Sequence, residues 1–190
     1  PIPVHRVKPE EMLPSLKAFH EACLSAGYAD CPDMNLPGAA GVGPQPLNDL
    51  NGLRISTALA YLNPNRHRLN LTIRGDVTAR RILFDGRRAV GVEAESGGEL
   101  FRLAGEEIVV SAGVIETPAL LMRSGVGPGE HLRSLGIPVQ HDLPGVGENL
   151  RDHARVDLRF RLKDGHREKT APSQVFLRYT ATGSNTSNDM

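Results

Sequence analysis

The sequence predicts a mixed fold of the α/β class, which within these 190 residues takes an α+β form. Three observations support this prediction. An amphipathic helical pattern occupies residues 9–26, and three alternating strand patterns follow one another between residues 77 and 103. Over residues 106–127 a short apolar run, a turn of small residues and a helical pattern succeed one another, as in a strand–turn–helix unit.

The first helix is predicted from apolar residues that recur every three or four positions. Pro14 is tolerated only in a first turn, so the regular helix should begin near that residue. Gly27 should end the helix, because glycine commonly follows the last turn. The apolar positions are Met12, Leu13, Leu16, Phe19, Cys23 and Ala26.

Residues 30–51 are rich in loop-forming residues. The string Gly41-Val42-Gly43-Pro44 within them suggests a phosphate-binding loop, but it follows no strand and opens no helix, so phosphate binding there is disfavoured. Residues 52–62 are predicted to form a helix that begins at Ser56 or Thr57. Its inward-facing residues should be Ala58, Leu59, Tyr61 and Leu62.

Residues 77–84, 88–95 and 100–103 are predicted to form a three-stranded antiparallel meander. Asp85-Gly86 joins the first two runs and Gly97-Gly98 joins the last two, and both pairs favour turns with positive φ. Residues 69–74 and 106–111 look like buried parallel strands on either side. Further along, a short helix is predicted over residues 128–135, and strands over residues 137–139, 156–162 and 175–179, with a loop at residues 163–172.

Composition argues against several functions. The formal net charge is zero and only 4% of the residues are aromatic, so nucleic acid is not an expected partner. No apolar run reaches the roughly 18 residues that cross a bilayer, so no membrane segment is predicted. Cys23 and Cys31 cannot form a disulfide framework and lack metal-ligand spacing. They predict a reducing, cytoplasmic compartment and no metal site.

Two sequence motifs of this chain resemble motifs of a known protein family, and they occur in the same order. The first comprises Gly113, Thr117-Pro118, Leu120-Leu121 and Ser124-Gly125-Val126-Gly127, and it resembles the second signature of the glucose-methanol-choline (GMC) flavin oxidoreductases. Val114 departs from it, since the family usually has a small residue there. The segment DLPGVGENLRDH, residues 142–153, resembles another motif of the same family. Two long motifs in this order are more specific than either alone, and the chain resembles the choline-dehydrogenase-like members.

The resemblance implies a Rossmann-like FAD-binding domain into which the meander is spliced, and oxidation of a small alcohol to an aldehyde or ketone by hydride transfer to flavin. It does not identify the electron acceptor. It assigns residues 1–65 to the substrate-domain or cap segment, 66–153 to the centre of the FAD-binding domain and 154–190 to the start of a substrate-domain sheet. The implied FAD contacts are Arg54, Ser56, Val77, Ser111, Ala112, Gly113, Thr117, Pro118, Asn149 and Leu150.

Some of these contacts have ordinary alternatives. Arg54 could equally be a solvated side chain, Ser56 a helix cap and Val77 a plain strand residue. Family members also carry a Gly-x-Gly-x-x-Gly turn near their start and a catalytic His followed by His or Asn near their end. Neither motif occurs in residues 1–190, so the resemblance implies an internal fragment without catalytic residues.

Two other functions compete with that of a flavin enzyme. The first is a flavin-free binding or interaction module that holds a partner with the Pro/Gly-rich loop near Gly41. The second is a nicotinamide-dependent dehydrogenase, which the absence of the dinucleotide fingerprint disfavours.

Overall fold

The computed structural model describes residues 2–161, 163–165, 173–188 and 190. The chain divides into two compact units, which we call the first unit (Pro1–Leu71 with Arg159–Met190) and the second unit (Thr72–Leu158). Residue 162 of one predicted strand, and most of the predicted loop at residues 163–172, lie outside the described residues.

The helices and strands of the described residues are numbered in chain order. The helices are α1 (Pro14–Ser25), α2 (Asn63–Asn65), α3 (Gly113–Arg123) and α4 (Gly129–Ser134), with a 3-10 turn at Pro9–Glu11 and a π-helical turn at Ala58–Leu62. The strands are β1 (His5–Arg6), β2 (Gly41–Pro44), β3 (Pro46–Leu47), β4 (Asp49–Leu50), β5 (Leu53–Arg54), β6 (Thr78–Asp85), β7 (Arg88–Ser96), β8 (Glu99–Ala104), β9 (Val126–Gly127), β10 (His141–Asp142) and β11 (Val175–Arg178).

Helix α1 begins where the sequence predicts, with Pro14 as its first residue. No side chain caps this end, but the Leu13 N–H donates to Gln174 Oε1 at 3.0 Å. Gly27 follows the helix with φ of +92°, a left-handed conformation that suits glycine. Cys23 on the inner face of α1 packs with Val42 and Val175 in the core of the first unit.

Glycines in β2 allow close backbone packing. A Cβ on Gly43 would lie 1.7 Å from the carbonyl oxygen of Cys31, and one on Gly41 would lie 2.1 Å from that of Ala29. The Val42 N–H donates to Ala29 O at 2.9 Å, and the Cys31 N–H donates to Val42 O at 2.8 Å. On its other side β2 pairs antiparallel with β11. These glycines therefore serve strand packing, which gives the Gly-x-Gly string a structural role.

The helix predicted over residues 52–62 is wrong in its first half. Asn51 and Gly52 have φ of +52° and +79°, and they turn the chain between β4 and β5, which pair antiparallel. This geometry is that of a two-residue hairpin loop, and Asn-Gly is its preferred sequence. Helical structure begins at Thr57, which confirms the predicted start, but Leu59 and Tyr61 are exposed rather than packed inward, so that part of the prediction is also wrong.

In the second unit, β6, β7 and β8 form a three-stranded antiparallel sheet in sequence order. Gly86, Gly97 and Gly98 all have positive φ in the two connecting turns, as predicted. Ile82 and Ala94 on this sheet are buried.

Ion pairs connect all three strands of this sheet. Glu93 on β7 accepts hydrogen bonds from Arg81 on β6 at 2.8 Å and from Arg102 on β8 at 3.3 Å. The hydrogen bond from Arg81 is the largest cause that lowers the pKa of Glu93, and the same bond raises the pKa of Arg81. Because all three strands share one carboxylate, a shifted register would separate these charges.

The end of α3 is bonded to β6 by the Ser124 hydroxyl group and by Arg123, whose Nε donates to Arg80 O at 3.3 Å. The Ile82 N–H on β6 donates to Ser124 Oγ at 2.8 Å, and Ser124 Oγ donates to Leu120 O at 2.6 Å. The chain then forms β9, which pairs parallel with β10. Asp142 on β10 accepts a hydrogen bond from the Gly129 N–H at 2.9 Å, so its carboxylate caps the start of α4.

Two predicted parallel strands are not strands in the structure. Residues 69–74 and 106–111 have no ladder partner among the described residues. Leu69 is fully exposed and Val109 is 78% exposed, so neither segment is buried as predicted. An apolar run forms a sheet only when a neighbouring strand accepts its backbone hydrogen bonds.

Two later strand predictions are also wrong. Residues 156–161 keep an alternating pattern but are unpaired, and Val156, Leu158 and Phe160 are exposed. Residues 137–139 do not form a strand, because the Ile137 N–H donates to Leu132 O at 2.9 Å and so closes the end of α4. The parallel strand is β10, two residues further along. The prediction at residues 175–179 is confirmed by β11.

Candidate functional site

The turn of small residues before α3 is closed by a side chain from the helix itself. The Ala112 N–H donates to Thr117 Oγ1 at 3.1 Å. Gly113 begins the helix with φ of +87°, and a Cβ placed on it would meet nothing within 4 Å. The small turn from Ser111 to Gly113 therefore leaves open space in front of the helix start.

The first turn of α3 is exposed and carries helix-dipole charge. Val114 is 69% exposed, and Ile115 beside it is equally accessible. The first N–H groups of a helix have no acceptor within the helix, and they carry the positive end of its dipole. Pro118, in the second turn, cannot donate to the carbonyl of Val114, which is also left without its usual partner. This end of α3 offers both donors and apolar surface to a ligand.

A groove of about 440 Å³ joins the start of α3 to the segment after β10. Gly147 has φ of +81°, and a Cβ on it would lie 2.8 Å from Met122 Cε, so the turn at residues 144–147 packs closely against α3. All of the lining residues belong to the second unit. They are Val114, Thr117, Pro118, Leu121, Val146, Gly147, Glu148, Asn149, Leu150 and Arg151.

Asn149 and Leu150 form one wall of this groove. Asn149 has φ of +59°, a conformation that asparagine tolerates better than most residues, and its Oδ1 accepts a hydrogen bond from Arg151 Nε at 2.8 Å. Leu150 is 65% exposed at the groove. The backbone turn thus presents an apolar side chain to the open space beside Thr117 and Pro118.

Four of the ten predicted site residues line this groove: Thr117, Pro118, Asn149 and Leu150. Ser111, Ala112 and Gly113 do not line it, but they form the turn that Thr117 closes. Val77 is half-buried just before β6 and is not among the lining residues. Sequence reasoning missed Val114, Val146 and Gly147 as lining residues, although the Pro-Gly-Val-Gly string marked the turn.

Arg54 and Ser56 lie in the first unit. Ser56 Oγ accepts a hydrogen bond from the Leu59 N–H at 3.3 Å, so the hydroxyl acts as a local cap in this structure. Arg54 lies on β5 and lines a separate cavity of about 640 Å³. The sequence did not reveal that cavity, because its residues come from distant parts of the chain.

Two groups of residues give no catalytic or metal site. Asp152 accepts a hydrogen bond from the backbone N–H of His153 at 2.7 Å, so the structure shows no contact between that carboxylate and the imidazole ring. Among the residues that the structure describes, no group of His, Cys, Asp and Glu side chains could hold a metal ion.

Within the same residues, no helix is long and apolar enough to cross a membrane.

One known protein family matches most of this chain. The family model described as GMC oxidoreductase matches residues 1–155, which include the whole of α3, the groove and both sequence motifs. The chain belongs to the GMC oxidoreductase family. The family resemblance read from the two motifs is therefore confirmed, and the GMC oxidoreductases are FAD-dependent enzymes.

A curated GMC relative and two solved structures show how far the similarity extends. The chain is 47% identical over 151 residues to an oxygen-dependent choline dehydrogenase of Pseudomonas putida, covering 77% of this chain and 27% of that protein. It is 34% identical to pyridoxine 4-oxidase from Mesorbium loti, with a TM-score of 0.71 over 75% of this chain and 28% of the other.

The second structure is an FAD-dependent oxidoreductase from Chaetomium thermophilum, with 28% identity and a TM-score of 0.70. The match covers 76% of this chain and 26% of that protein. The chain therefore spans less than a third of the length of each of these GMC proteins.

Proposed function

We propose that this chain is part of an FAD-dependent GMC oxidoreductase that oxidises an alcohol to an aldehyde or ketone. Its role in that protein is to hold the adenine side of FAD and to contribute a segment of the substrate domain. The observation that carries the proposal is the groove in the second unit, where four of the implied FAD contacts meet. The second unit, Thr72–Leu158, supports assigning residues 66–153 to the FAD-binding domain.

The residues of the groove fit a dinucleotide. Gly113 leaves space where a Cβ would otherwise project, so a ligand can approach the backbone. The N–H groups of the first turn of α3 have no acceptor within the helix, so they can donate to the acceptor atoms at the edge of an adenine ring. Val114 and Leu150 offer exposed apolar surface on either side, as an adenine ring requires. The groove thus combines donors with apolar walls, which is typical of cofactor sites.

FAD, when bound, supplies the hydride acceptor for alcohol oxidation. This chain's own residues bind and orient it. Thr117 holds the small turn, Pro118 and Leu150 exclude water from the groove, and Asn149 sets the direction of the backbone that carries Leu150. Val77, Arg54 and Ser56 stay predicted contacts. We assign no catalytic residue to residues 1–190, and the cytoplasmic location stays a prediction.

The family match and the groove favour this proposal over the flavin-free interaction module. The Pro/Gly-rich loop near Gly41, which that module would use to hold a partner, is instead packed against backbone carbonyls.

Titration of the ¹⁵N-labelled chain with FAD tests the proposal by NMR. We expect weak binding, because one side of a cofactor site holds only part of the ligand, and we expect the shifts to concentrate on Thr117, Asn149 and Leu150. Leu150→Asp should abolish these shifts, because it replaces an apolar wall of the groove with a hydrated carboxylate against which an adenine ring cannot pack. Leu100→Asp, an equally exposed site on β8, is the matched control. Shifts located elsewhere, or equal shifts in both variants, would contradict the proposal.

A further inference from the structure

The second unit has another groove, which we call the arginine groove after Arg81, Arg102 and Arg123. It lies between the meander, the end of α3 and the segment after α4, and its volume is about 460 Å³, in the range of small-molecule sites. In the part of the chain that the structure describes, these arginines are the only charged residues that line it. It shares no lining residue with the groove at the start of α3.

Glu93 fixes two of these arginines but balances only one of their charges. Its carboxylate accepts hydrogen bonds from Arg81 Nε at 2.8 Å, from Arg81 Nη2 at 3.1 Å and from Arg102 Nε at 3.3 Å. The Glu93 side chain is 16% exposed, whereas those of Arg81 and Arg102 are 50% and 68% exposed. The carboxylate is therefore shielded, and the guanidinium groups are the charges that a ligand meets.

Arg123 adds a third positive charge, and its hydrogen-bond partner is neutral. Its Nε donates to Arg80 O at 3.3 Å. Its Nη2 lies 3.9 Å from Glu116 Oε2, and both side chains are exposed, so water screens this ion pair. Among the described residues, Arg102 and Arg123 each donate a hydrogen bond through Nε alone. The terminal amino groups of both arginines remain available as donors.

The charge and the donors of the arginine groove suit a phosphate monoester. Three guanidinium groups and the shielded Glu93 carboxylate leave two positive charges, which the exposed Glu116 offsets only in part. A phosphate monoester carries close to two negative charges at neutral pH and has three strong acceptor oxygens. Guanidinium groups match such oxygens with paired N–H donors. A monoanion would balance less of this charge.

Apolar side chains form the rest of the lining. Leu83, Phe84 and Val90 of the meander are half-buried, as is Ile137, and Pro138 beside it is exposed. An organic group could pack on these side chains and remove their surface from water, which an inorganic anion cannot do. Charged donors beside apolar surface therefore favour an organic phosphate over free phosphate.

We propose that the arginine groove binds a small organic phosphate monoester in its dianionic form. The phosphate oxygens accept hydrogen bonds from the terminal amino groups of Arg102 and Arg123 and from Arg81 Nη1. The organic group packs against Phe84 and Ile137. This site goes beyond the proposed function, because it is a second ligand site of the second unit and does not depend on flavin.

Titration of the ¹⁵N-labelled chain with phenyl phosphate, without FAD, tests the proposal by NMR at about pH 7.5 and fixed ionic strength. We expect saturable shifts of the Nε–H signals of Arg81, Arg102 and Arg123. Phenyl sulfate has a similar shape but one negative charge, and inorganic phosphate lacks the apolar group. Each of these two anions should bind about fivefold more weakly or less tightly still.

Two arginine variants with the same change of charge locate the site. Arg102→Gln removes one exposed guanidinium group and only a long bond to Glu93, and it should weaken phenyl phosphate binding about fivefold or more. Arg133→Gln, at an exposed position of α4 outside the groove, is the matched control and should leave the affinity nearly unchanged. If Arg102→Gln disturbs the amide signals of the meander, Arg123→Gln must weaken binding by the same factor.

Several outcomes would overturn the inference: shifts that do not saturate, phenyl sulfate or inorganic phosphate binding as tightly as phenyl phosphate, or equal affinities of the Arg102 and Arg133 variants. FAD shifts on Thr117 and Leu150 without phenyl phosphate shifts on the arginines would reject only this inference. Phenyl phosphate shifts on the arginines without FAD shifts at the start of α3 would reject the proposed function and leave the phosphate site.

Discussion

Gly43→Ala is expected to destabilise the first unit by about 3 kcal/mol, the upper part of the usual range for overpacking. The added Cβ would lie 1.7 Å from the carbonyl oxygen of Cys31, a distance at which the backbone must move. Cys31 cannot move away freely, because its N–H is bonded to Val42 O in the same pairing. Any shift of this backbone would also disturb Val42, which is fully buried in the core.

Urea unfolding of Gly43→Ala, followed by the NMR signals of β2 and β11, measures this effect. Gly145→Ala is the control, because a Cβ at Gly145 would meet nothing within 4 Å and its φ is not positive. The control should stay within about 0.5 kcal/mol of the parent. A Gly43→Ala chain as stable as the parent would show that β2 is not packed against the Cys31 backbone as described.

Ser124→Ala is expected to cost the second unit about 2 kcal/mol, because the substitution leaves the partly buried Ile82 N–H without an acceptor. The same hydroxyl donates to Leu120 O within α3, so one deletion removes both hydrogen bonds of this hydroxyl, while the bond from Arg123 Nε to Arg80 O remains. We expect faster amide exchange at Ile82 together with a lower urea midpoint.

Ser134→Ala provides the comparison for this prediction. Ser134 Oγ also donates to a helix carbonyl, that of His131, but the residue is exposed and bridges no other element. Its loss should change the free energy of unfolding by less than about 0.5 kcal/mol. Equal effects of the two substitutions would mean that Ser124 does not fix α3 to β6.

The elements that were predicted well are those whose evidence is local. Pro14 and Gly27 mark the ends of α1, and the Asp85-Gly86 and Gly97-Gly98 turns define the meander, because positive φ at these positions is encoded by one or two residues. Asn51-Gly52 carried equally local evidence for the β4–β5 hairpin. The helix predicted from Gly52 onward overlooked that signal.

The elements that were predicted badly depend on partners distant in sequence. Residues 69–74, 106–111 and 156–161 have strand-like patterns, but a pattern cannot show whether a neighbouring strand is present to accept their hydrogen bonds. The groove was partly predictable, because two motifs carried Thr117 and Asn149. The cavity that Arg54 lines was not, because its residues come from distant parts of the chain.

The central claim is that these residues are part of a flavin-dependent GMC oxidoreductase. Sequencing the coding region on both sides of Pro1 and Met190 tests this claim most directly. We expect an in-frame Gly-x-Gly-x-x-Gly turn upstream, where a helix start would hold the FAD pyrophosphate, and an in-frame His followed by His or Asn downstream. Stop codons adjoining both ends, with neither motif in frame, would contradict the oxidoreductase assignment.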